Sequence, residues 1–240
     1  MKTLIVVPCY NESKRLKQEE FLAFVQENPD IEFLFANDGS RDNTLDVLQV
    51  LCDRHPSLHL YDIQPNGGKA EAVRKGMLYG AEHLSPDYIA FWDADLATPL
   101  NEIPHMVEWA DKGYDVVMGL RLMRLGAKVR RKTTRHYLGR CFATCASIML
   151  KLPVYDTQCG AKLFRTQVVR DIFPEAFITR WLFDVEILAR YKKRYGISSA
   201  CEKIYEFPLF QWIDVDGSQL KSRDFLKAPM ELLKIKRHYK

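Results

Sequence analysis

The feature that most constrains the fold is an alternation of short apolar runs with segments of helical periodicity in the first hundred residues. The apolar runs lie at 4–7, 31–36, 59–63 and 88–92. Strands that alternate with helices at this spacing form a parallel, doubly wound sheet, because each helix returns the chain to the same edge. The sequence therefore predicts an α/β fold with a mostly parallel central sheet and helices on both faces.

Each of these four runs is followed by polar or turn-forming residues. The polar segments lie at 8–12, 37–44, 65–69 and 93–95. Ligands of open parallel sheets bind outside the carboxyl ends of the strands, so we expect all four segments to lie at one ligand-binding edge. The Gly-Gly-Lys turn at 67–69 has neither the P-loop spacing nor the dinucleotide-binding fingerprint, and an ordinary turn explains its glycines equally well.

Two carboxylates, those of Asp93 and Asp95, follow the fourth run with one residue between them. The preceding residues suit a strand that is covered on both faces, and carboxylates near a core need compensation. A hard divalent cation takes one or two carboxylates together with phosphate oxygens, which a nucleoside diphosphate would supply. An isolated Asp-x-Asp more often caps a helix or closes a turn, and the three other polar segments favour the metal site.

The composition excludes several classes of protein. With 240 residues, of which 47% are hydrophobic, the chain can form a substantial core, and we interpret 1–240 as one domain. The cysteines form no C-x-x-C pair, and no apolar run approaches the roughly 20 residues that cross a bilayer. We expect a cytoplasmic protein with reduced thiols, and we expect no nucleic-acid partner.

Basic residues are concentrated between Asp115 and Asp156, where no acidic residue occurs. This local excess predicts an anionic partner. An apolar helix is predicted at 142–152, and a basic amphipathic helix is predicted to begin near Pro229. Each is compatible with an ordinary core or surface helix, or with peripheral contact to an anionic membrane surface.

Four motifs occur in a fixed order along the chain: Val-Val-Pro-Cys-Tyr-Asn-Glu at 6–12, Asn-Asp-Gly-Ser-Arg-Asp-Asn-Thr at 37–44, Gly-Lys at 68–69 and Asp-Ala-Asp-Leu at 93–96. In this order and spacing they resemble the motifs of family 2 glycosyltransferases, which have the Rossmann-like GT-A fold. Further segments at 156–164, 180–186 and 216–218 resemble the branch of dolichyl-phosphate β-glucosyltransferases and related polyprenyl-phosphate glycosyltransferases.

The resemblance implies a binding site for a nucleotide-sugar donor. In this sequence the matching positions are Pro8, Tyr10, Glu12, Ala36, Asp38, Lys69, Asp93, Ala94, Asp95 and Arg121. Asp93 and Asp95 would hold Mg²⁺ or Mn²⁺ and the diphosphate, and Arg121 would lie near a phosphate group. Asn37 departs from the family pattern, because many members carry an aspartate at that position.

The resemblance also implies a reaction, the inverting transfer of a hexose to a polyprenyl or dolichyl phosphate. It suggests UDP-glucose as the donor, bound by residues 1–120, with the acceptor bound by residues 121–240. A phosphate monoester, whose second pKa is about 6, is largely ionised at neutral pH and needs positive charge rather than a general base. Arg131, flanked by Arg130 and Arg135, fits that need because arginine binds phosphate bidentately.

Two alternatives stay open. Transfer to a saccharide hydroxyl would require a carboxylate base, for which Asp156, Asp184 and Glu186 are candidates. Asp184 and Glu186 interrupt an apolar helix, where acids cost stability unless they are paired. A nucleotide-sugar-binding protein without chemistry would keep the same fold, although the intact acids argue against it. The predicted catalytic residues are Asp95, Arg131, Asp156 and Asp184.

Overall fold

The structure, a computed structural model, describes residues 1–130, 133–215 and 222–239, without the side chains of 133–136 and 222–226. The strands are β1 (Thr3–Cys9), β2 (Ile31–Asp38), β3 (Leu58–Ile63), β4 (Tyr88–Trp92), β5 (Val116–Leu120), β6 (Lys128–Arg130), β7 (Ala161–Arg165), β8 (Ile204–Pro208) and β9 (Gln211–Ile213). The helices are α1 (Gln18–Glu27), α2 (Thr44–Cys52), α3 (Lys69–His83), α4 (Glu102–Asp111), α5 (Thr133–Leu150), α6 (Thr166–Ile172), α7 (Phe183–Tyr195), α8 (Ile197–Lys203) and α9 (Ser222–His238).

The chain divides into two compact units, Met1–Leu96 with Gly160–Ala176 and Ala97–Cys159 with Phe177–Lys240. In the first unit the strand order is β3-β2-β1-β4-β7, where β1 to β4 are parallel and β7 is antiparallel to β4. The predicted parallel pairing of the four apolar runs is therefore confirmed, and their carboxyl ends lie at one edge. The functional division at residue 120 stays a prediction.

Residues buried on both sides of the sheet form the core of the first unit. The run 4–7 of β1 is completely inaccessible to solvent. Phe21 of α1 packs edge-on against Phe33 and Phe35 of β2, with ring centres 5.2 and 5.1 Å apart. These contacts explain why the strands consist of continuous apolar residues rather than alternating ones.

Helix α3 packs closely on β1 because residue 76 is a glycine. A Cβ atom at Gly76 would lie 2.5 Å from Cγ1 of Val6, which is well inside van der Waals contact. The β-branched valine has little freedom to move away. This packing fixes the first turn of α3, which begins at Lys69, at the carboxyl edge of the strands.

In the second unit β5 pairs in parallel with β8, and β6 pairs in parallel with β9. The helix predicted at 142–152 corresponds to the last part of the longer α5, which ends two residues earlier, at Leu150. Among the helices in the described part of the chain, none is both long enough and apolar enough to cross a membrane.

The prediction that the last helix begins near Pro229 is wrong, because α9 begins at Ser222 and contains Pro229. Proline disfavours a helix interior, since it lacks an N–H donor and clashes with the preceding turn. Ala228, Leu232 and Ile235 are nevertheless all buried at helical spacing. Packing of this face extends the helix through the proline, so tertiary contacts outweigh local propensity.

Candidate active site

The carboxylates of Asp93 and Asp95 follow β4 directly, at the predicted edge of the first unit. The Asp93 carboxylate forms an ion pair with Nζ of Lys69 at 2.5 Å, and the two side chains are 34% and 47% exposed. Ala94, between the two acids, is buried. The edge therefore presents an accessible carboxylate beside a cation on the first residue of α3.

Gly160 leaves the space that the Asp93 carboxylate occupies. Its carbonyl oxygen accepts a hydrogen bond from the Asp93 N–H at 3.1 Å. A Cβ atom on Gly160 would overlap the carboxylate of Asp93. A larger residue at position 160 is therefore incompatible with the observed position of this carboxylate.

Asp38 at the end of β2 is 2% exposed, and its carboxylate is hydrogen-bonded to the turn that precedes α3. It accepts the N–H groups of Gly67 and Gly68 at 2.8 and 2.7 Å and the side-chain amide of Asn66 at 2.9 Å. These contacts make Asp38 an anchor for the turn that carries Lys69. The predicted turn at Gly67 and Gly68 is therefore held at the carboxyl edge of the sheet by Asp38, which is itself a predicted nucleotide-sugar-binding residue.

Glu12 in the loop after β1 is 9% exposed, and its carboxylate forms a two-point ion pair with Arg15 at 3.1 and 2.6 Å. Burial raises the pKa of Glu12, Arg15 opposes that shift, and the negative charge of Asp95 adds to it. Glu12 and Asp95 therefore share one electrostatic environment, in which a bound cation would be favourable.

The remaining predicted donor residues also belong to the first unit. Pro8 and Ala36 are paired in register in β1 and β2, with Ala36 completely buried and Pro8 half-buried. Tyr10 is half-buried in the loop after β1. The structure therefore brings the residues of the first hundred that are predicted to bind the nucleotide sugar to one edge of one sheet.

The carboxylates at this edge suit a divalent cation whose remaining coordination positions are filled by oxygens of a bound phosphate and of water. Asp93 and Asp95 offer two carboxylates, and the described residues contain no group of three or more His, Cys, Asp or Glu side chains arranged around a metal position. Mg²⁺ is held in this manner, by one or two carboxylates together with phosphate oxygens. Because residue 160 is a glycine, there is room for one of these carboxylates, that of Asp93.

In the second unit, the half-buried Arg121 forms an ion pair with the buried Asp156. The Asp156 carboxylate accepts from Nε and Nη2 of Arg121 at 2.7 Å each, and from the Arg121 N–H at 3.2 Å. The Arg121 guanidinium also lies 5.3 Å from the ring centre of Trp212. Such two-point geometry fixes the plane of the guanidinium, so Asp156 orients Arg121 instead of standing as an accessible base.

Glu186 is completely buried and saturated with hydrogen bonds. It accepts the N–H groups of Ile178 and Thr179 at 3.1 Å each, Nη2 of Arg190 at 2.8 Å and the hydroxyl of Tyr239 at 2.7 Å. Burial and the bond to Glu186 raise the pKa of Tyr239 to about 12. These contacts join the start of α7 to the end of α9, which favours a structural role for Glu186 over that of a base.

The other predicted catalytic residues differ in how the structure describes them. Asp184 is buried in the first turn of α7, in the second unit. Arg131 lies outside the described residues, so its assignment rests on the sequence alone.

Sequence reasoning missed three residues that belong to these arrangements. Glu206 in β8 accepts two main-chain N–H groups at 155–156, and Trp212 in β9 covers Arg121. Lys162 in β7 is completely buried, with its ammonium group 5.2 Å from the ring centre of Phe91. A charged residue inside an apolar strand was the available signal for Glu206 and Lys162, whereas nothing local distinguishes Trp212.

A mostly parallel sheet with paired carboxylates at the carboxyl ends of its strands is the arrangement expected for a GT-A glycosyltransferase. The solved structure of glucosyl-3-phosphoglycerate synthase from Mycobacterium tuberculosis with Mn²⁺, UDP-glucose and phosphoglyceric acid superposes with a TM-score of 0.70. That match has 14% sequence identity and covers 99% of this chain and 79% of the synthase. The predicted fold class is thereby confirmed.

Residues 4–173 match glycosyl transferase family 2, and the chain belongs to this family. The dolichyl-phosphate beta-glucosyltransferase of Trichomonas vaginalis is 33% identical, over 97% of this chain and 70% of the relative. The dolichyl-phosphate beta-glucosyltransferase of Saccharomyces cerevisiae is 30% identical, over 98% of this chain and 74% of the relative. The predicted resemblance to the family and to this branch is confirmed.

Proposed function

We propose that the protein transfers glucose from UDP-glucose to a polyprenyl phosphate, with inversion at the anomeric carbon and assistance from Mg²⁺ or Mn²⁺. The observation that carries this proposal is 33% identity over 97% of the chain to a dolichyl-phosphate beta-glucosyltransferase, in a chain that keeps Asp93, Asp95 and Lys69 at one edge. The Mn²⁺ and UDP-glucose in the structurally similar synthase support the choice of metal and donor.

The residues of the first unit would bind and orient the donor. Asp93 and Asp95 would hold the cation, which when bound supplies positive charge that stabilises the departing diphosphate. Lys69 lies at the N-terminus of α3, where the helix dipole and main-chain N–H groups also favour an anion. Asp38 keeps the turn before Lys69 in place through its bonds to Gly67 and Gly68.

The acids of the second unit favour a phosphate acceptor over a hydroxyl acceptor. The carboxylates of Asp156 and Glu186, two of the three candidate bases, are committed to arginine and main-chain donors. A hydroxyl nucleophile must lose a proton to a base, whereas an ionised phosphate oxygen attacks without one. An acceptor that needs no base is therefore consistent with this arrangement.

Exposed apolar side chains of the second unit support peripheral contact with an anionic membrane surface. Leu125 is 99% exposed next to Arg124, Ile148 of α5 is 73% exposed, and Met230 of α9 is 61% exposed. Apolar side chains beside basic ones suit the interface of anionic lipid, where a polyprenyl phosphate would reside. We propose that this contact occurs at the cytoplasmic face of the membrane, because the sequence leads us to expect a cytoplasmic protein with reduced thiols.

The proposal is tested by following release of UDP from UDP-glucose in the presence of Mn²⁺ and a short polyprenyl phosphate. We expect release to require the lipid phosphate and to be accompanied by a glucosylated lipid. The matching polyprenol without phosphate serves as the control. Release that depends on a free saccharide and not on the lipid phosphate would contradict the proposal and support the hydroxyl-acceptor alternative.

Arg131→Ala is expected to abolish transfer to polyprenyl phosphate with little effect on the donor, because the variant removes a bidentate partner of the acceptor phosphate. We expect kcat/KM for the lipid to fall at least about a hundredfold, while the Kd for UDP changes less than about twofold. The control is Arg194→Ala, which removes an exposed arginine of α7 outside the basic segment. Equal loss of lipid transfer and UDP binding would contradict the acceptor role.

Gly160→Ala is expected to weaken donor binding at least about tenfold, because the added Cβ would displace the Asp93 carboxylate. The measurement is the thermal shift produced by UDP with Mn²⁺. Gly80→Ala is a matched control, because its Cβ would overlap the Leu4 side chain in the core and not the acids. We expect both variants to melt earlier, but only Gly160→Ala to lose the ligand response. An intact response in Gly160→Ala would contradict the role of Asp93.

A further inference from the structure

Glu206 in β8 is hydrogen-bonded to the main chain of Tyr155 and Asp156, and Asp156 is the ion-pair partner of Arg121. Its carboxylate accepts the Tyr155 N–H at 2.8 and 2.9 Å and the Asp156 N–H at 2.7 Å. Burial raises the pKa of Glu206, and the two N–H groups partly oppose that shift. A partly desolvated carboxylate that receives two consecutive main-chain donors restrains the local backbone strongly.

Asp156 passes this restraint to Arg121. Both oxygens of the Asp156 carboxylate accept from the Arg121 guanidinium at 2.7 Å, and one also accepts the Arg121 N–H at 3.2 Å. Trp212 lies over the guanidinium at 5.3 Å. The position of Arg121 therefore depends on where the main chain at 155–156 is held.

We propose that Glu206 is a positioning residue, which through Asp156 fixes the orientation of the Arg121 guanidinium, a group that the sequence assigns to a phosphate of the donor. This inference rests on the proposed function and on the assignment of Arg121 to a donor phosphate, which comes from the sequence. A displacement of about 1 Å at a phosphate-binding arginine is enough to cost orders of magnitude in rate, so a residue without ligand contact can control turnover.

Arg140 holds the same segment independently of Glu206. Arg140 donates to the Tyr155 carbonyl oxygen at 2.8 Å, and its guanidinium lies 3.1 Å from the centre of the Tyr155 ring. Glu206→Gln keeps the shape of the side chain and one acceptor oxygen but removes the charge. We therefore expect a small shift of Asp156 rather than loss of the fold.

Glu186→Gln provides a matched control. Glu186 also accepts two consecutive main-chain N–H groups, those of Ile178 and Thr179, and it binds Arg190 directly. If Glu206 acted only by stabilising the fold, the two substitutions would affect catalysis alike. If Glu206 instead positions Arg121, Glu206→Gln should reduce catalysis more than Glu186→Gln does.

The experiment compares wild type, Glu206→Gln, Glu186→Gln, Arg121→Gln and the Glu206→Gln/Arg121→Gln double variant. It measures kcat, the KM values for UDP-glucose and polyprenyl phosphate, and the Kd for UDP with Mn²⁺ by calorimetry. We expect Glu206→Gln to lower kcat/KM for the donor about tenfold or more and to weaken UDP binding, with an unchanged KM for the lipid. Glu186→Gln should stay within about threefold of wild type.

In the Arg121→Gln background, Glu206→Gln should add less than about twofold, because residues that act through one another are not additive. Equal effects of Glu206→Gln and Glu186→Gln, or an undiminished effect of Glu206→Gln in the double variant, would overturn the inference alone. Absence of lipid glucosylation by the wild-type protein would overturn the proposed function, and with it this inference.

Discussion

Asp95→Asn is expected to lower metal-dependent turnover at least about a hundredfold, because asparagine keeps the shape of the side chain but removes one of the two negative charges assigned to the cation. The remaining acid, Asp93, is already paired with Lys69 at 2.5 Å. A single carboxylate beside an ammonium group is a poor site for a divalent ion. The measurement is initial rate against Mn²⁺ concentration, in which the concentration for half-maximal rate should rise together with the fall in kcat.

Asp53→Asn is the control for this substitution, since Asp53 is an exposed acid at the end of α2 that accepts a bond from Gln49. It should leave both the rate and its Mn²⁺ dependence unchanged. A chelator should abolish wild-type activity and added Mn²⁺ should restore it. Full wild-type activity in the presence of chelator, or an unaltered Mn²⁺ profile in Asp95→Asn, would remove the assignment of a metal to this edge.

The positions of the strand ends were predictable because the signal is local. A continuous apolar run suits a strand buried on both faces, and a run that stops at polar residues marks where that strand leaves the core. Parallel pairing then places all such ends at one edge, which is where Asp38, Asp93 and Asp95 lie. No long-range contact had to be known for this step.

The pairings among the charged residues were not predictable, since they join distant parts of the chain. The sequence makes Asp156 a candidate base, and only the structure shows that Arg121, 35 residues earlier, donates to its carboxylate. Glu206 reaches the same segment from 50 residues later. The sequence shows that an acid lies in apolar surroundings, but the identity of its partner depends on which strands are neighbours.

Asn37 shows how a departure from the family pattern is accommodated. Its side-chain amide donates to Asp62 on the neighbouring strand at 2.6 Å, and its side-chain oxygen accepts from Ser40 at 2.6 Å. An aspartate at position 37 would place a second negative charge against Asp62, which is unfavourable at this distance. The amide therefore suits the acid on β3, and the local pairing accounts for the departure.

Glu186→Gln is expected to destabilise the fold while leaving the chemistry intact, which separates a structural acid from a catalytic base. Glu186 is completely buried and is the charge partner of Arg190, whose side chain is only 6% exposed. Removal of one charge from such a buried pair costs about 3 kcal/mol or more, which for a chain of this size lowers Tm by roughly 6–12 °C. The measurement is thermal unfolding together with kcat/KM at a temperature where the variant is folded.

Glu19→Gln is the matched control, because Glu19 forms the same two-point contact with Arg54, at 2.6 and 3.0 Å, but on the surface. Water screens such an exposed pair, so its loss should leave Tm essentially unchanged. If Glu186 were instead the base for a hydroxyl acceptor, Glu186→Gln would lower kcat by orders of magnitude even in the fully folded protein. A large fall in kcat at unchanged Tm would therefore support a hydroxyl acceptor. A lower Tm with unchanged kcat/KM would support a structural role for Glu186, which joins α7 to α9.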